Sequence, residues 1–211
     1  MKCLKRSWKH KLTSIALISG VMAVTGVCAM PLQPQNAVSS SQTMTTNRTI
    51  TTSNWQQWQT VGEAQLTWFI FDIYKSRLKA PEGRYLVTAD VSPHPFALEI
   101  NYQRDISKKQ LLEVTDEQWQ KLGFTEPYRR QWISELDTMF PDIKKGDELT
   151  YLTDGKNGQL IYSQAGISNE TQKIVGHVKD ERLNDAFLSI WLSPQTEFPK
   201  LRAKLIGQVR Q

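Results

Sequence analysis

The chain has 211 residues, with 26 Lys and Arg residues against 21 Asp and Glu residues, a formal net charge of +5 and a pI of about 9.2. Five basic residues and no acidic ones precede Ala29, so the rest of the chain carries 21 of each sign. The basic pI therefore belongs mostly to the N-terminus, and we expect no nucleic-acid partner. The length suits one hydrophobic core and is short for two domains.

The N-terminus is organised like a secretory signal peptide, which we place at residues 1–29. Five basic residues among the first eleven precede an apolar run from Leu12 to Ala29, with the expected cleavage site after Ala29. An uncleaved membrane anchor is the alternative, whereas Val27 before Cys28 argues against lipidation. Cleavage removes Cys3 and Cys28, so we expect a periplasmic protein without disulfides or reactive thiols. Release outside the cell is left open.

The next segment, residues 30–53, is rich in Ser, Thr, Gln and Asn, which predicts a flexible polar lead-in to a domain over residues 54–211. The stretch from Trp55 to Tyr74 predicts one or two strands, because apolar residues alternate from Ala64 to Ile70 as the segment leaves solvent and enters a core. Tyr74 adds a polar group at the end of this segment, and such a group needs a partner or a ligand.

Five further strands are predicted from alternation and turn residues. Two of them cover residues 84–91 and 96–104, separated by a turn with two prolines. The others follow Gly146, where Asp-Gly and Asn-Gly pairs mark turns. Their expected ranges are residues 148–153, 159–163 and 171–178.

Four helices are predicted from caps, stops and apolar spacing. The first begins with a capping box, Ser107 to Gln110, and ends at Gly123, while Pro141 ends the second. The expected N-caps of the four are Ser107, Thr125, Asp180 and Thr196. The order of strands, two helices, strands and two helices predicts an α+β fold, with an antiparallel sheet covered by helices on one side.

Six short blocks of residues follow one another between Trp55 and Gly207. They are Val61-Gly62-x-Ala64-x-Leu66; Phe71-Asp72-Ile73-Tyr74-x-x-x-Leu78; Ala80-Pro81-x-Gly83-x-Tyr85; Leu98-x-Ile100-x-Tyr102-x-Arg104-Asp105-Ile106; Ile143-x-x-Gly146-Asp147-x-Leu149; and Phe187-Leu188-x-Ile190-Trp191-Leu192, followed by Leu201-Arg202-x-x-Leu205-x-Gly207. In this order the blocks resemble the bacterial secreted branch of the chalcone isomerase-like family. The resemblance implies an open-faced β-sandwich, in which a large sheet and a helical layer enclose a ligand cleft.

The resemblance implies one of two activities. Chalcone isomerases close a flavanone ring without a cofactor, and an arginine, a threonine and a tyrosine stabilise the developing anion. Other members lack this activity and bind fatty acids through an arginine and a tyrosine. Residues 55–62, where the isomerase arginine is expected, contain no arginine, and the threonine position falls near Phe69 or Ile70. The isomerase residues are not carried over, so we expect a non-catalytic ligand-binding protein that needs no cofactor.

Three residues are candidates for holding the ligand. If the alternation from Phe96 continues, Arg104 faces the apolar side, where its guanidinium could bind a carboxylate through two hydrogen bonds. The alternative is that Arg104 lies at the strand's exit and pairs with Asp105, another acid or solvent. Tyr102 and Tyr74 are candidate hydrogen-bond donors beside it, with packing in the core or at the rim as the alternative.

The expected ligand is a fatty acid or a similar apolar acid. Two other functions stay open: a cofactor-independent isomerase or lyase acting on a small phenolic or enone, and a structural partner in an envelope complex whose cleft is filled by side chains. We expect no metal site, because nothing brings His94 and His177 together or near a cluster of acids. The oligomeric state is open.

Overall fold

A computed structural model describes residues 52–68, 71–166 and 172–209. The expected signal peptide and the expected lead-in up to residue 51 lie outside the described residues. Residues 52 and 53, the end of the expected lead-in, begin a short 3-10 helix, Thr52–Gln57.

Within the described residues the chain forms six strands and four α-helices. The strands are β1 Gln59–Trp68, β2 Phe71–Ala80, β3 Phe96–Tyr102, β4 Glu148–Thr153, β5 Gly158–Ser163 and β6 Lys173–Val178. The helices are α1 Lys108–Lys121, α2 Glu126–Asp137, α3 Glu181–Leu192 and α4 Pro199–Leu205. Each strand pairs antiparallel with the next along the chain, in the order β1 to β6. This confirms the predicted α+β fold with an antiparallel sheet.

The main core lies between one face of the sheet and the helices. Alternate residues of neighbouring strands align across the sheet, as in the buried row Leu78, Leu98, Tyr151 and Leu160. α3 packs over this row, and the ring centres of Phe187 and Tyr151 are 4.6 Å apart. Since α3 is buried along most of its length, it is the central helix of the layer.

The predicted strand over residues 84–91 is wrong, because this segment is an irregular loop. Its polar groups bond locally: the Tyr85 hydroxyl donates to the Val91 carbonyl at 2.9 Å, and the Leu86 amide donates to His94 Nε2 at 3.1 Å. β2 supplies the missing strand by running on to Ala80 and pairing with β3.

The other face of the sheet carries charges, which is why the far half of β2 was hard to predict. Arg77 of β2 contacts Glu63 of β1 at 2.5 Å and Glu99 of β3 at 3.4 Å. On the same face, Trp55 of the 3-10 helix packs against a small apolar cluster formed by Ala97, Leu152 and Ile161. In this part of β2 the charged residues Lys75, Arg77 and Lys79 therefore alternate with the buried residues Ser76, Leu78 and Ala80.

Three of the four predicted helix starts are confirmed. Ser107 and Gln110 form the expected capping box, and Thr125 and Asp180 occupy the N-caps of α2 and α3. The fourth is wrong, because Phe198 is the N-cap of α4. The Thr196 hydroxyl instead donates to the Ile190 carbonyl at 2.6 Å, which ties the α3–α4 connection to the end of α3.

Candidate functional site

The three candidate ligand residues lie at one end of the sheet. Tyr102 ends β3 and pairs with Tyr74 of β2, and Arg104 follows two residues later. The Gln103 amide donates to the Ile73 carbonyl at 2.9 Å, so the chain stays beside β2 as it leaves the strand. The three residues are close in register, but their environments differ.

Arg104 is exposed, so the expectation that its guanidinium lies in an apolar cleft is wrong. β3 ends at Tyr102, and the alternation that would turn Arg104 inward ends there too. The guanidinium carbon lies 5.8 Å from the ring centre of the exposed Phe71, a cation–π contact. Asp105 bonds Lys144 Nζ at 3.2 Å and does not pair with Arg104. The position at the strand's exit is the alternative that the structure supports.

Tyr74 and Tyr102 are buried side by side beneath the helical layer. Their ring centres are 6.2 Å apart in an edge-to-face arrangement. Trp191 of α3 donates its Nε1 proton to the Tyr74 hydroxyl at 2.9 Å. Burial raises the pKa of Tyr74 and outweighs the lowering effect of the Trp191 bond. Burial also raises the pKa of Tyr102, and the neighbouring Tyr74 adds to this shift.

Both phenols are protonated at neutral pH, as a tyrosine with its ordinary pKa of about 10 also is. Each can therefore donate a hydrogen bond, and burial makes loss of the proton still less favourable. No hydrogen bond joins the Tyr102 hydroxyl to another described residue, but its oxygen is not one of the fully buried unpaired polar atoms there, which are Arg129 Nε, Trp132 Nε1 and Ser163 Oγ. The Tyr74 hydroxyl accepts from Trp191, and its own proton has no acceptor among the described residues. Donors in apolar surroundings are stabilised by an acceptor, which a ligand oxygen or a water can supply.

Two surface pockets lie elsewhere, and neither is lined by the three candidate residues. A groove of about 670 Å³ runs between α1 and α2, with Leu112 and Ile133 among its lining residues. A smaller pocket of about 440 Å³ lies between β1, the loop after β2 and the end of α4, where Arg84 and Lys204 contribute positive charge. The helix–sheet interface beside Tyr74 and Tyr102 is occupied by core side chains such as Trp191.

Arg129 in the α1–α2 groove is a buried polar residue that the sequence analysis missed. Its Nη1 donates to Asp116 Oδ1 at 2.5 Å, and its Nε has no acceptor among the described residues. Its position two residues after Pro127 in a polar stretch of α2 gives no sign of burial. Acidic and basic side chains alternate along the groove and pair with one another, as Lys109 does with Glu113 at 3.8 Å. The charges of the groove therefore favour neither anions nor cations.

A buried polar network joins the start of α3 to the opposite end of the sheet. Ser92 Oγ donates to Asp185 Oδ1 at 2.5 Å, and Asn184 Nδ2 donates to Ser92 Oγ at 3.0 Å. The Asn184 carbonyl oxygen accepts from Tyr151 at 3.1 Å and from Thr153 at 3.0 Å. Burial is the main cause that raises the pKa of Asp185. The network therefore links the loop before β3, the end of β4 and the start of α3.

The described part of the chain contains neither a metal-binding cluster nor a membrane-spanning helix. No group of three or more His, Cys, Asp and Glu side chains there is arranged to hold a metal ion. None of the helices there has the length and apolarity needed to cross a bilayer.

Comparison with known proteins supports the resemblance seen in the sequence motifs. The family model described as "Chalcone isomerase-like" matches residues 39–207. A protein of Haemophilus influenzae described as uncharacterized is 28% identical over 153 residues, which is 72% of this chain and 70% of that protein. The family match covers most of the chain and includes every described strand and helix. The chain therefore belongs to the chalcone isomerase-like family.

Proposed function

We propose that this protein is exported to the periplasm and binds a fatty acid or a similar apolar acid without catalysing a reaction. The N-terminal sequence supports export, because a basic segment, an apolar run and a cleavage site follow in the order of a signal peptide. Family membership supports a binding function, since related members bind fatty acids.

The observation that carries the proposal is the pair of buried, protonated phenols at one end of the sheet. The Tyr102 hydroxyl bonds no other described residue, although it is not among the fully buried unpaired atoms, and the Tyr74 hydroxyl keeps its proton available while it accepts from Trp191. A carboxylate is a strong acceptor for two such donors, and the surrounding aromatic residues suit an alkyl chain. Because core side chains occupy this region, entry of the ligand requires them to move.

Arg104 takes a secondary role in this proposal. Its exposed guanidinium lies just outside the two tyrosines, so it attracts the acid to this end of the sheet without burying a charge. Screening by water makes its contribution smaller than that of the buried donors.

The packed interior also favours a second function, a structural partner in an envelope complex. The region beneath α3 is filled by large side chains, including Phe187 and Trp191, as expected for a domain that needs no internal ligand. An isomerase has less support, because residues 55–62, where the resemblance places the isomerase arginine, contain no arginine.

Native mass spectrometry of the protein purified from its own periplasm tests the proposal. We expect co-purified fatty acids, and calorimetry on the delipidated protein should show binding that Tyr102→Phe weakens about tenfold. Arg104→Ala should weaken binding by less than about fivefold, because the group is exposed. Tyr85→Phe and Arg84→Ala, at the opposite end of the sheet, are the matched controls.

The outcomes separate the three functions. A protein that carries no lipid and binds no fatty acid contradicts the proposal. Capture of a defined envelope protein in its place would support the structural partner. Loss of chalcone absorbance on incubation with the protein would support the isomerase.

A further inference from the structure

We propose that the end of the sheet around Phe71 and Arg104 docks on the surface of an anionic phospholipid bilayer. We call the residues Phe71, Arg104, Lys144 and Lys145 the hairpin-end surface. The proposal goes beyond fatty-acid binding and does not rest on it, because bilayer contact needs only exposed groups.

The apolar part of this surface is Phe71. Its side chain is 58% exposed, the largest exposed fraction among the large apolar side chains in the described residues. Phe71 begins β2 and pairs with Trp68 at the end of β1, so it lies at the tip of the β1–β2 hairpin. Phe71 is exposed at this end of the sheet, so its ring can reach a bilayer interface without any change in the strand pairing. An exposed phenyl ring there gains free energy by leaving water for the acyl boundary.

The charged part of the surface begins at Arg104, beside that ring, and continues to the loop that contacts Asp105. The Arg104 guanidinium carbon lies 5.8 Å from the Phe71 ring centre. The loop that carries Lys144 and Lys145 is held beside it, because the Gly146 amide donates to the Tyr102 carbonyl at 2.7 Å. All three basic side chains are exposed.

The local balance of exposed charge is positive. In residues 71–75, 103–106 and 142–147, the exposed basic residues are Lys75, Arg104, Lys144 and Lys145, and the exposed acidic residues are Asp72, Asp105 and Asp142. Asp105 already bonds Lys144 Nζ and the Lys145 amide, at 3.2 and 2.9 Å. Asp147 is fully buried and does not face solvent. This end therefore complements a negatively charged surface.

The combination of an exposed ring and flanking cations fits a bilayer better than a soluble anion. A phosphate alone would engage the basic groups and leave Phe71 in water. At a bilayer the ring reaches the acyl boundary, while Arg104 and the lysines stay level with the phosphates. Attraction to anionic lipids brings the hairpin to the surface, and insertion of the ring holds it there.

Vesicle co-sedimentation tests the proposal, with vesicles of phosphatidylcholine alone or mixed with phosphatidylglycerol. Wild-type protein should bind the mixed vesicles more tightly than the neutral ones, and added salt should weaken binding. Phe71→Ser should lower the affinity roughly tenfold, and Arg104→Gln about fivefold. Wild type and variants are all purified from the periplasm, so every protein in the comparison has the same N-terminus and differs only at the substituted residue.

Matched controls come from the opposite end of the sheet. Val87 is 55% exposed in the loop after β2, and Arg84 is exposed in the same loop. Val87→Ser and Arg84→Gln should bind vesicles like the wild type. Unchanged unfolding midpoints for Phe71→Ser and Arg104→Gln would show that both variants fold. The proposal is overturned if the wild type does not prefer anionic vesicles, or if the hairpin-end variants bind like the controls.

Discussion

Replacement of Asp147 by asparagine tests the hydrogen bonds that hold the Lys144–Gly146 loop against the sheet. The Asp147 carboxylate is fully buried and accepts three hydrogen bonds. Its Oδ2 accepts from the Lys144 amide at 2.8 Å and from the Tyr162 hydroxyl at 2.6 Å, and its Oδ1 accepts from the Ala165 amide at 2.9 Å. The residue therefore links the loop before β4 with the end of β5.

The expected cost follows from the number of acceptors. Asparagine has one carbonyl oxygen, so in either orientation its amide group faces at least one donor that Asp147 now satisfies. Loss of a hydrogen bond to a charged group, with a buried donor left unpaired, should lower the free energy of unfolding by about 2–3 kcal/mol.

The pH dependence of the stability loss in Asp147→Asn is a sharper test than the size of that loss at a single pH. Burial tends to raise the pKa of Asp147, but the bonds from Tyr162, Ala165 and Lys144 outweigh it and lower the pKa below 3.8. A carboxyl whose pKa is lowered by folding adds stability above its unfolded pKa and loses it as the pH falls through the folded pKa. The free energy of unfolding that Asp147→Asn loses relative to the wild type should therefore be largest at pH 7 and become smaller below about pH 4.

Urea unfolding followed by tryptophan fluorescence at several pH values measures this deficit. Asp137→Asn is the control, because that carboxylate is exposed and lies 3.5 Å from Lys108 Nζ. It should change the free energy of unfolding by less than about 1 kcal/mol. Our reasoning fails if Asp147→Asn is no less stable than the control, or if its deficit stays constant down to low pH.

Gly62→Ala tests the packing of β1, with Gly123→Ala as its comparison, and Glu148→Gln tests the charges on the open face of the sheet. Gly62→Ala places a Cβ 2.0 Å from the Lys204 carbonyl oxygen, so β1 and α4 must separate, and thermal unfolding should show a loss of about 2–3 kcal/mol. Gly123→Ala, whose Cβ meets nothing within 4 Å but requires a positive φ of 88°, should cost about 1 kcal/mol. Burial, and then the charge of Glu99, raises the pKa of Glu148, so its contribution to stability falls as the pH rises. Glu148→Gln should therefore raise stability at pH 7 by up to about 1 kcal/mol, and equal stability of variant and wild type between pH 4 and pH 8 would contradict this.

The sequence predicted the helices well because their signals are local. Capping side chains and prolines act within one turn, so the capping box at Ser107 and the start of α2 needed no knowledge of the rest of the fold. The strands from β4 to β6 were also predicted to within two residues, since Gly-containing turns separate them. The end of β2 was missed because its outer face carries Lys75, Arg77 and Lys79, and the partners of Arg77, Glu63 and Glu99, lie on other strands.

The candidate site was predicted only in part. Tyr102 and Tyr74 belong to adjacent strands with alternating apolar residues, so their shared burial follows from pattern. The exposure of Arg104 does not follow from the sequence pattern, because it depends on β3 ending two residues earlier, at Tyr102. The bond from Trp191 to Tyr74 joins residues 117 positions apart, and no local pattern contains it.

From its sequence alone this protein is a member of a known family with an α+β fold, because periodicity, caps and turns are short-range properties. Only the tertiary structure decided that two tyrosines lie protonated beneath α3 while Arg104 stays in water beside Phe71. Burial and the charge around a side chain depend on segments that are distant in the chain, and those segments meet only when the sheet and the helices pack.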